Sequence, residues 1–257
     1  GAARVMSWLE EFLQTEWLDM KVYCTSVTEQ WTVLSICGPK SRELLASLTD
    51  DNIDNASLPY MRMKPIKVCG IEARVFRISF TGELSFEINV PARYGKFIWD
   101  KVMEAGKQYK ITPYGTEAMH VLRAEKGFII VGQDTDGSVN PLDAGLGWLV
   151  SKEKDFLGKR SLERADSLRK DRKQLVGLLS VDNKSVIPEG AQLIEKKATS
   201  GPTPMYGHVS SSYYSPILGH PIALALVQSG RNRYGDKLLA VSSDAKTIEV
   251  SITKPIF

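Results

Sequence analysis

The two aspartates of the stretch GQDTDGSVNP, Asp134 and Asp136, are the first residues here whose type and spacing suggest chemistry. A D-x-D-x-D-G calcium loop starting at Asp134 would require Asp or Asn in place of Ser138 and glycine in place of Val139, which argues against calcium. Acid and base catalysis would require separated carboxyl pKa values, which a sequence does not reveal. The alternative is that both aspartates shape the turn before Pro141.

Arg123 is a candidate for binding a carboxylate. It follows Leu122 in the segment YGTEAMHVLRAEKGF, which predicts a helix, and it lies beside the apolar face of that helix. A planar guanidinium in that position could hold a carboxylate through two parallel hydrogen bonds. An ion pair with Glu117 or Glu125 on the same helix is the alternative, and the spacing leaves both open.

Glu87 is a candidate acceptor on a strand. The segment SFTGELSFEINVP alternates, so that one face carries Leu84, Phe86, Ile88 and Val90 and the other carries Ser85, Glu87 and Asn89. If the second face lines a pocket, Glu87 could accept two hydrogen bonds from an aminopyrimidine edge, such as that of a pterin. If that face meets water, Glu87 has no such role.

Composition limits the remaining chemistry. The sequence contains 33 Lys plus Arg and 30 Asp plus Glu, and the net charge of +3 argues against a nucleic-acid partner. The three histidines lack metal-ligand spacing, so no metal site is expected, and the three cysteines are expected to be free thiols in a reducing compartment. No apolar run approaches the roughly 18 residues that a membrane span needs. We therefore expect a cytoplasmic protein with no membrane partner.

The first part of the chain must position Glu87. Val5, Trp8, Leu9 and Phe12 predict an amphipathic helix, and LDMKVYC and WTVLSIC predict two strands before a helix that starts near Pro39. The segments IKVCGIEARVFRISF and LSFEINVP predict two further strands, followed by a helix that ends near Gly106. This order is similar to that of ferredoxin-like domains.

The second part must position Arg123. Ala118, Met119 and Leu122 predict the apolar face of its helix, and the segment EKDFLGKRSLERADSLRKDRKQ predicts another helix before a basic linker. The remaining sequence alternates short β-rich runs with turn residues, which predicts a small barrel or sandwich. We therefore expect an α+β chain with one domain over residues 1–168 and a C-terminal β-barrel domain over residues 169–257.

Three segments together resemble the aminomethyltransferase, or glycine-cleavage T-protein, superfamily. TGELSFEINVP resembles its T-G-E-x-x-x-E-I hairpin, and LRAEKGFIIVGQDTDGSVNPLDAGLGWLVSKEKDFLGKRSL resembles its L-R-x-E-x-G to K-x-D-F-x-G stretch. GHVSSSYYSPILGHPIALALV resembles its barrel segment. Within the superfamily, the amino-acid sequence of these segments is most similar to the C-terminal folate-binding part of the alpha subunits of heterotetrameric sarcosine oxidases. The N-terminal stretch GAARVMSWLEEFLQTEWLDMKVYCTSVTEQW resembles the same part.

The resemblance implies a tetrahydrofolate site. The residues that match the family's folate-lining positions are Glu87, Arg123, Trp148, Tyr213 and Tyr214, with Glu87 on the pteridine. Phe80 stands where T-proteins have a tyrosine, so a hydroxyl contact from that position is lost. An aspartate that contacts folate in T-proteins belongs to an N-terminal portion that we expect to precede this chain. We therefore expect the chain alone to bind folate weakly and to be inactive.

The implied activity is oxidative demethylation of sarcosine to glycine, hydrogen peroxide and 5,10-methylenetetrahydrofolate, together with the other sarcosine oxidase subunits. FAD, FMN and NAD are expected only outside this chain, which contains no G-x-G-x-x-G motif. One alternative is a flavin-free, folate-dependent aminomethyltransferase or demethylase. A second alternative is a non-enzymatic folate-binding or subunit-contact module, although Phe128 replaces the cysteine of the K-G-C-Y-x-G-Q-E signature of such modules.

Overall fold

The computed structural model covers residues 1–257, which divide into two compact units. The first unit comprises residues 1–79 and 83–113, and the second comprises residues 80–82 and 114–257. Every helix of the chain falls short of the length and apolarity that a bilayer crossing requires.

The first unit contains three helices and a four-stranded sheet. Its elements are α1 Ala2–Thr15, β1 Trp31–Cys37, α2 Ser41–Ala46, β2 Met63–Val68, β3 Ile71–Phe76, β4 Ser85–Pro91 and α3 Gly95–Gly106. The strand order is β1-β4-β3-β2, and all three pairings are antiparallel. The sheet therefore places β4, which carries Glu87, between two neighbours.

The strand predicted at LDMKVYC is wrong. Residues 20–27 contain neither helix nor strand, and the single strand of that region is β1. Tyr23 is 95% exposed and Met20 and Val22 are exposed as well, so no sheet buries their apolar side chains. The apolar composition of this segment is typical of a strand, but the segment has no partner strand with which to form a sheet.

The segment IKVCGIEARVFRISF forms two strands where one was predicted. The chain reverses between β2 and β3 through Cys69 and Gly70, whose φ angles are 50° and 79°. Positive φ at both central residues is the condition for a type I′ turn, which matches the twist of a two-residue hairpin. Cys69 adopts a conformation that favours glycine or asparagine. Of the two central residues, only Gly70 is therefore of a type that predicts this turn from the sequence.

The alternation of β4 is confirmed. Phe86, Ile88 and Val90 are fully buried in a core to which α2 contributes Leu44 and Leu45. Helix α3 adds Ile98 and Val102 to the same core. Both helices therefore pack on the apolar face of the sheet, and the other face carries Glu87.

The second unit contains helix α4 and a closed six-stranded barrel. Its elements are α4 Thr116–Glu125, β5 Lys173–Ser180, β6 Gln192–Ile194, β7 Gly207–Ser215, β8 His220–Gln228, β9 Lys237–Val241 and β10 Thr247–Thr253. The barrel order is β10-β5-β8-β7-β6-β9. Closure leaves no strand edge unpaired.

The helix predicted across EKDFLGKRSLERADSLRK is wrong, since the structure has only a 3₁₀ helix at Lys159–Glu163. Gly158, with a φ of 91°, interrupts any longer helix just before it. The predicted α+β class with a small C-terminal barrel is confirmed. The domain boundary at residues 168/169 stays a prediction; the first barrel strand begins at Lys173.

Candidate functional site

Arg123 and Asp134 form a fully buried ion pair. Both side chains are 0% exposed, and Arg123 Nη1 lies 2.5 Å from Asp134 Oδ2. Nη1 also donates to the Phe128 carbonyl at 3.0 Å, and Nη2 donates to Ser211 Oγ at 2.7 Å. The pair therefore ties helix α4 to the loop that follows it and to barrel strand β7.

A bulge in β7 supplies the remaining partners of Asp134. The pairing of β7 with β8 skips Ser210, since Val209 lies opposite Ala225 and Ser211 lies opposite Leu224. Successive side chains of a regular strand point to opposite faces, but a bulge can turn two neighbours to one side. The hydroxyls of Ser210 and Ser211 both donate to Asp134 Oδ1 at 2.6 Å.

Asp134 is thereby satisfied at both oxygens. Oδ1 accepts the two serine hydroxyls, and Oδ2 accepts Arg123 Nη1 and the backbone N–H of Ile130, the latter at 2.9 Å. A buried charge is tolerated when an opposite charge and hydrogen bonds compensate its lost hydration. Asp134 therefore shapes the turn of residues 130–134 through Ile130, and it also joins that turn to Arg123 and to β7, which the sequence did not indicate. Asp136 also shapes a turn, because it accepts the N–H and hydroxyl of Ser138.

Tyr213 lies on the edge of this network. Arg123 Nη2 donates to the Tyr213 hydroxyl at 3.1 Å, and the guanidinium carbon lies 5.6 Å from the centre of the tyrosine ring. Gln133 Nε2 is 3.4 Å from the same hydroxyl and 3.1 Å from Ser211 Oγ. Arg123 therefore fixes the position of a tyrosine that is only partly buried.

The ion pair of Arg123 with Glu117 or Glu125, which the sequence left open as the alternative, does not form. The carboxylate partner of Arg123 is Asp134, whereas Glu125 accepts a hydrogen bond of 2.6 Å from the Ser215 hydroxyl. The buried residues of α4 are Arg123, Ala124 and Glu125, and Ala118 is exposed. The predicted apolar face of α4 is therefore wrong, because polar partners on β7 bury two charged residues of the helix.

Glu87 lies in different surroundings in the first unit. Its side chain is half-buried on β4, opposite Ser35 on β1 and Phe76 on β3. No group of this chain donates a hydrogen bond to its carboxylate, and burial raises the pKa of that carboxyl. The side chain is thus a partly desolvated acceptor that still has room for donors.

The other two matched aromatics are largely exposed. Trp148 lies in a 3₁₀ helix, Gly147–Leu149, and is 78% exposed. Tyr214 is 53% exposed at the end of β7. The structure brings Arg123 and Tyr213 into contact, and the assignment of all five residues to folate stays a prediction. No group of three or more His, Cys, Asp and Glu side chains is arranged to hold a metal ion.

Ser210, Ser211 and Gln133 were missed in the sequence, and each contacts the buried pair or its partners. The only sequence signal was the serine run at residues 210–212 inside a predicted strand, where apolar and polar residues should alternate. Two of these hydroxyls, those of Ser210 and Ser211, contact Asp134, whereas Ser212 Oγ is buried without a partner.

Family profiles match nearly the whole chain. The GCVT N-terminal domain matches residues 1–154, and the glycine cleavage T-protein C-terminal barrel domain matches residues 173–257. The chain belongs to the glycine cleavage T-protein family.

Comparison with individual proteins identifies two groups of relatives. The chain is 51% identical to the sarcosine oxidase subunit alpha of Corynebacterium sp. (strain U-96), over 98% of this chain and 26% of that protein. It is 32% identical to an aminomethyltransferase of Caldanaerobacter subterraneus subsp. tengcongensis, over 92% of this chain and 61% of that protein. The resemblance predicted from the sequence to both groups is confirmed.

A solved structure supports the fold. The aminomethyltransferase T of the glycine cleavage system from Bartonella henselae matches with a TM-score of 0.75 at 22% identity, over 96% of this chain and 64% of that chain. The chain thus spans about a quarter of the length of the sarcosine oxidase subunit and about three fifths of the aminomethyltransferase.

Proposed function

We propose that this chain is the tetrahydrofolate-binding part of a sarcosine oxidase alpha subunit. The 51% identity to the Corynebacterium subunit supports the parent enzyme, and the T-protein family supports folate. The intact complex would convert sarcosine to glycine, hydrogen peroxide and 5,10-methylenetetrahydrofolate. FAD, FMN and NAD would bind elsewhere in the complex, and the other subunits would be partners of this chain. A cytoplasmic location is consistent with three free cysteines.

The half-buried carboxylate of Glu87 is the observation that carries the proposal. A carboxylate that has lost part of its hydration and receives no hydrogen bond from its own chain is stabilised by a ligand that brings donors. The aminopyrimidine edge of a pterin presents two parallel N–H groups, which fit the two oxygens of one carboxylate. Strand β4 holds Glu87 between two paired neighbours, so the acceptor is positioned before a ligand arrives.

Arg123 is proposed as a positioning residue. Its guanidinium has no exposed surface and already serves Asp134, Phe128 and Ser211, so the group would act on a ligand through the Tyr213 hydroxyl that it holds. Its Nε is buried without an acceptor. Tyr213 would then present a fixed hydroxyl and ring to the folate.

Trp148 and Tyr214 are proposed as stacking surfaces, because exposed aromatic rings can cover the planar parts of a folate. Bound tetrahydrofolate supplies the amine nitrogens that accept the one-carbon unit. The chain contributes by holding and orienting that acceptor, so proximity provides more of the acceleration than acid or base catalysis does.

Calorimetric titration of the purified complex that contains this chain with 5-formyltetrahydrofolate tests the proposal. Replacing Glu87 by Gln removes the charge and one acceptor, and we expect binding to weaken by about 10 to 100 fold. Glu72→Gln is the matched control, since Glu72 is an exposed glutamate on the neighbouring strand β3. Equal affinities of the wild type and the Glu87 variant would contradict the role of Glu87.

A flavin-free aminomethyltransferase is the second candidate, favoured by the 32% identity to the Caldanaerobacter enzyme over 61% of its length. The two functions differ in redox chemistry. The purified complex that contains this chain should show flavin absorbance and should release hydrogen peroxide from sarcosine. A complex without flavin that still transfers a one-carbon unit to tetrahydrofolate would favour the second candidate.

A further inference from the structure

A cavity of about 820 Å³ lies entirely within the second unit. Two stretches of turn-rich chain line it, one between residues 137 and 151 and the other between residues 154 and 172. None of the five residues matched to folate is among its lining residues. The size is in the range of cavities that enclose a small organic ligand, roughly 300–1,000 Å³. The proposed folate function does not account for this cavity.

The wall of the cavity is largely apolar. Its larger apolar side chains are Leu146, Leu149, Phe156, Leu157 and Leu162. Leu149 and Leu157 are both more than half exposed, although they belong to a concave surface. Covering such side chains with an apolar ligand removes their contact with water, which favours binding.

The cation Arg172 also lines the cavity, but its charge is already compensated. Arg172 Nη2 lies 2.6 Å from Asp143 Oδ2, and Nη1 forms a second ion pair with Asp166. Arg172 also donates to the Ser138 carbonyl, which joins the two stretches of the wall. These contacts stabilise the shape of the cavity and leave Arg172 little capacity for a ligand.

Two other cations are not compensated. Lys154 and Arg164 line the cavity, both are exposed, and neither forms an ion pair. The single carboxylate among the lining residues, Asp166, is occupied by Arg172 and Arg169. The cavity therefore has an excess of positive charge beside its apolar wall, and such a combination attracts an anion.

Asn140 contributes to the shape of the wall. It is one of the lining residues of the cavity, and its Oδ1 accepts the backbone N–H of Asp143 at 2.9 Å. In return, Asp143 Oδ2 accepts the backbone N–H of Asn140 at 3.0 Å. These two hydrogen bonds fix a turn within the first stretch of the wall.

We propose that this cavity binds a small carboxylate with a bulky apolar body, an aryl or acyl carboxylate. The apolar body lies against the leucine and phenylalanine side chains, and the carboxylate lies towards Lys154 and Arg164. A neutral ligand of the same shape lacks the interaction with the two cations. A small anion without an apolar body lacks the contact with the leucine and phenylalanine side chains. Recognition thus requires both parts in one molecule.

Calorimetric titration of the 257-residue chain with 2-naphthoate tests the proposal, with 2-naphthalenemethanol as the neutral analogue. We expect 2-naphthoate to bind at a single site and the alcohol to bind at least about tenfold more weakly. The double variant Lys154→Gln with Arg164→Gln should weaken 2-naphthoate binding by about tenfold as well. Lys196→Gln with Lys197→Gln removes the same charge from exposed barrel residues and should leave binding unchanged.

Methyl NMR locates the ligand without any substitution. The methyl signals of Leu149 and Leu157 should shift on addition of 2-naphthoate, whereas those of Leu193 and Leu238 in the barrel core should not. Absent binding, equal binding of the alcohol, or shifts confined to the barrel core would overturn the proposal. Displacement of 2-naphthoate by 5-formyltetrahydrofolate would overturn it too, because the cavity would then be the folate site. This result is independent of whether Glu87 binds folate.

Discussion

Replacing Asp134 by Asn tests whether the buried pair with Arg123 holds the second unit together. The asparagine oxygen can take the place of Oδ2 and keep the hydrogen bonds from Arg123 Nη1 and the Ile130 N–H. Its amino group then faces Ser210 and Ser211. The Ser210 hydroxyl can rotate to accept, whereas Ser211 Oγ already accepts from Arg123 Nη2 and Gln133 Nε2, so one hydrogen bond is lost. The substitution therefore keeps the shape and most hydrogen bonds, and it removes the charge that compensates Arg123.

The expected loss follows from that charge. Removing one partner of a buried ion pair costs about 3–5 kcal/mol, since the other charge is left uncompensated. Because the hydrogen bonds are largely kept, we expect the lower end, about 3 kcal/mol. Asp136→Asn is the matched control two residues further on, and asparagine caps a turn as aspartate does, so its effect should stay within about 0.5 kcal/mol.

Native-state hydrogen exchange of the β7 amides is the appropriate measurement, because two compact units need not unfold together. Urea unfolding followed by circular dichroism gives the free energy of the unit, provided that its slope is unchanged. Adding Arg123→Met to Asp134→Asn removes both charges, and the double variant should be more stable than the sum of the single effects predicts, by about 2 kcal/mol. Additive losses, or an Asp134 variant as stable as the Asp136 variant, would refute the reasoning.

Three further predictions concern the barrel and the sheet. Gly207→Ala should destabilise the barrel by at least about 2 kcal/mol in urea unfolding, because the added Cβ would lie 2.1 Å from the Leu226 carbonyl oxygen. Gly137→Ala is the control: no atom lies near the added Cβ, so stability should change by less than about 1 kcal/mol. Burial lowers the pKa of His208, so the unfolded chain takes up its proton at a higher pH than the folded chain does, and stability should fall as the pH drops below about 6.5. His208→Gln should reduce this fall in urea midpoints measured between about pH 7.5 and about pH 5.5, and an unchanged profile would contradict it. Glu87→Gln should raise the urea midpoint at about pH 7, because burial raises the pKa of this carboxyl and its charged form therefore destabilises the folded state. The gain should shrink below about pH 4, where the wild-type carboxyl is protonated in both the folded and the unfolded state.

The parts of the fold that follow from local alternation could be predicted. The side-chain period of β4 placed Phe86, Ile88 and Val90 in the core and left Glu87 on the other face. The segment at residues 20–27 has the apolar composition of a strand, but a strand also depends on a partner that composition does not reveal. Local pattern is therefore sufficient where the neighbouring strand exists, and it misleads where no neighbour is present.

The buried pair could not be predicted for a related reason. Arg123 and Asp134 are 11 residues apart, and Asp134 meets Ser210 and Ser211 across more than 70 residues of chain. Both serines reach one oxygen because the β7 bulge changes the pairing between Val209 and Ser211. Barrel pairing decides where that bulge lies, so the helix spacing around Arg123 could suggest a ligand carboxylate or a glutamate of the same helix, but not Asp134.

The carboxylates of Glu87 and Asp134 have different environments. The contacts of Asp134 predict a role in the stability of the fold, and those of Glu87 predict a role in binding a ligand. Asp134 receives an opposite charge and three further hydrogen bonds from its own chain, so its removal leaves other groups without partners. Glu87 receives none and still bears the cost of partial burial, so its neutral substitute should be more stable and should bind folate less well. A residue whose replacement stabilises the fold while it weakens a ligand is retained for the ligand. The resemblance to T-proteins points to both Glu87 and Arg123. Under the proposed folate function, Glu87 is the one of the two whose acceptor is open to a pterin, and Arg123 acts through Tyr213.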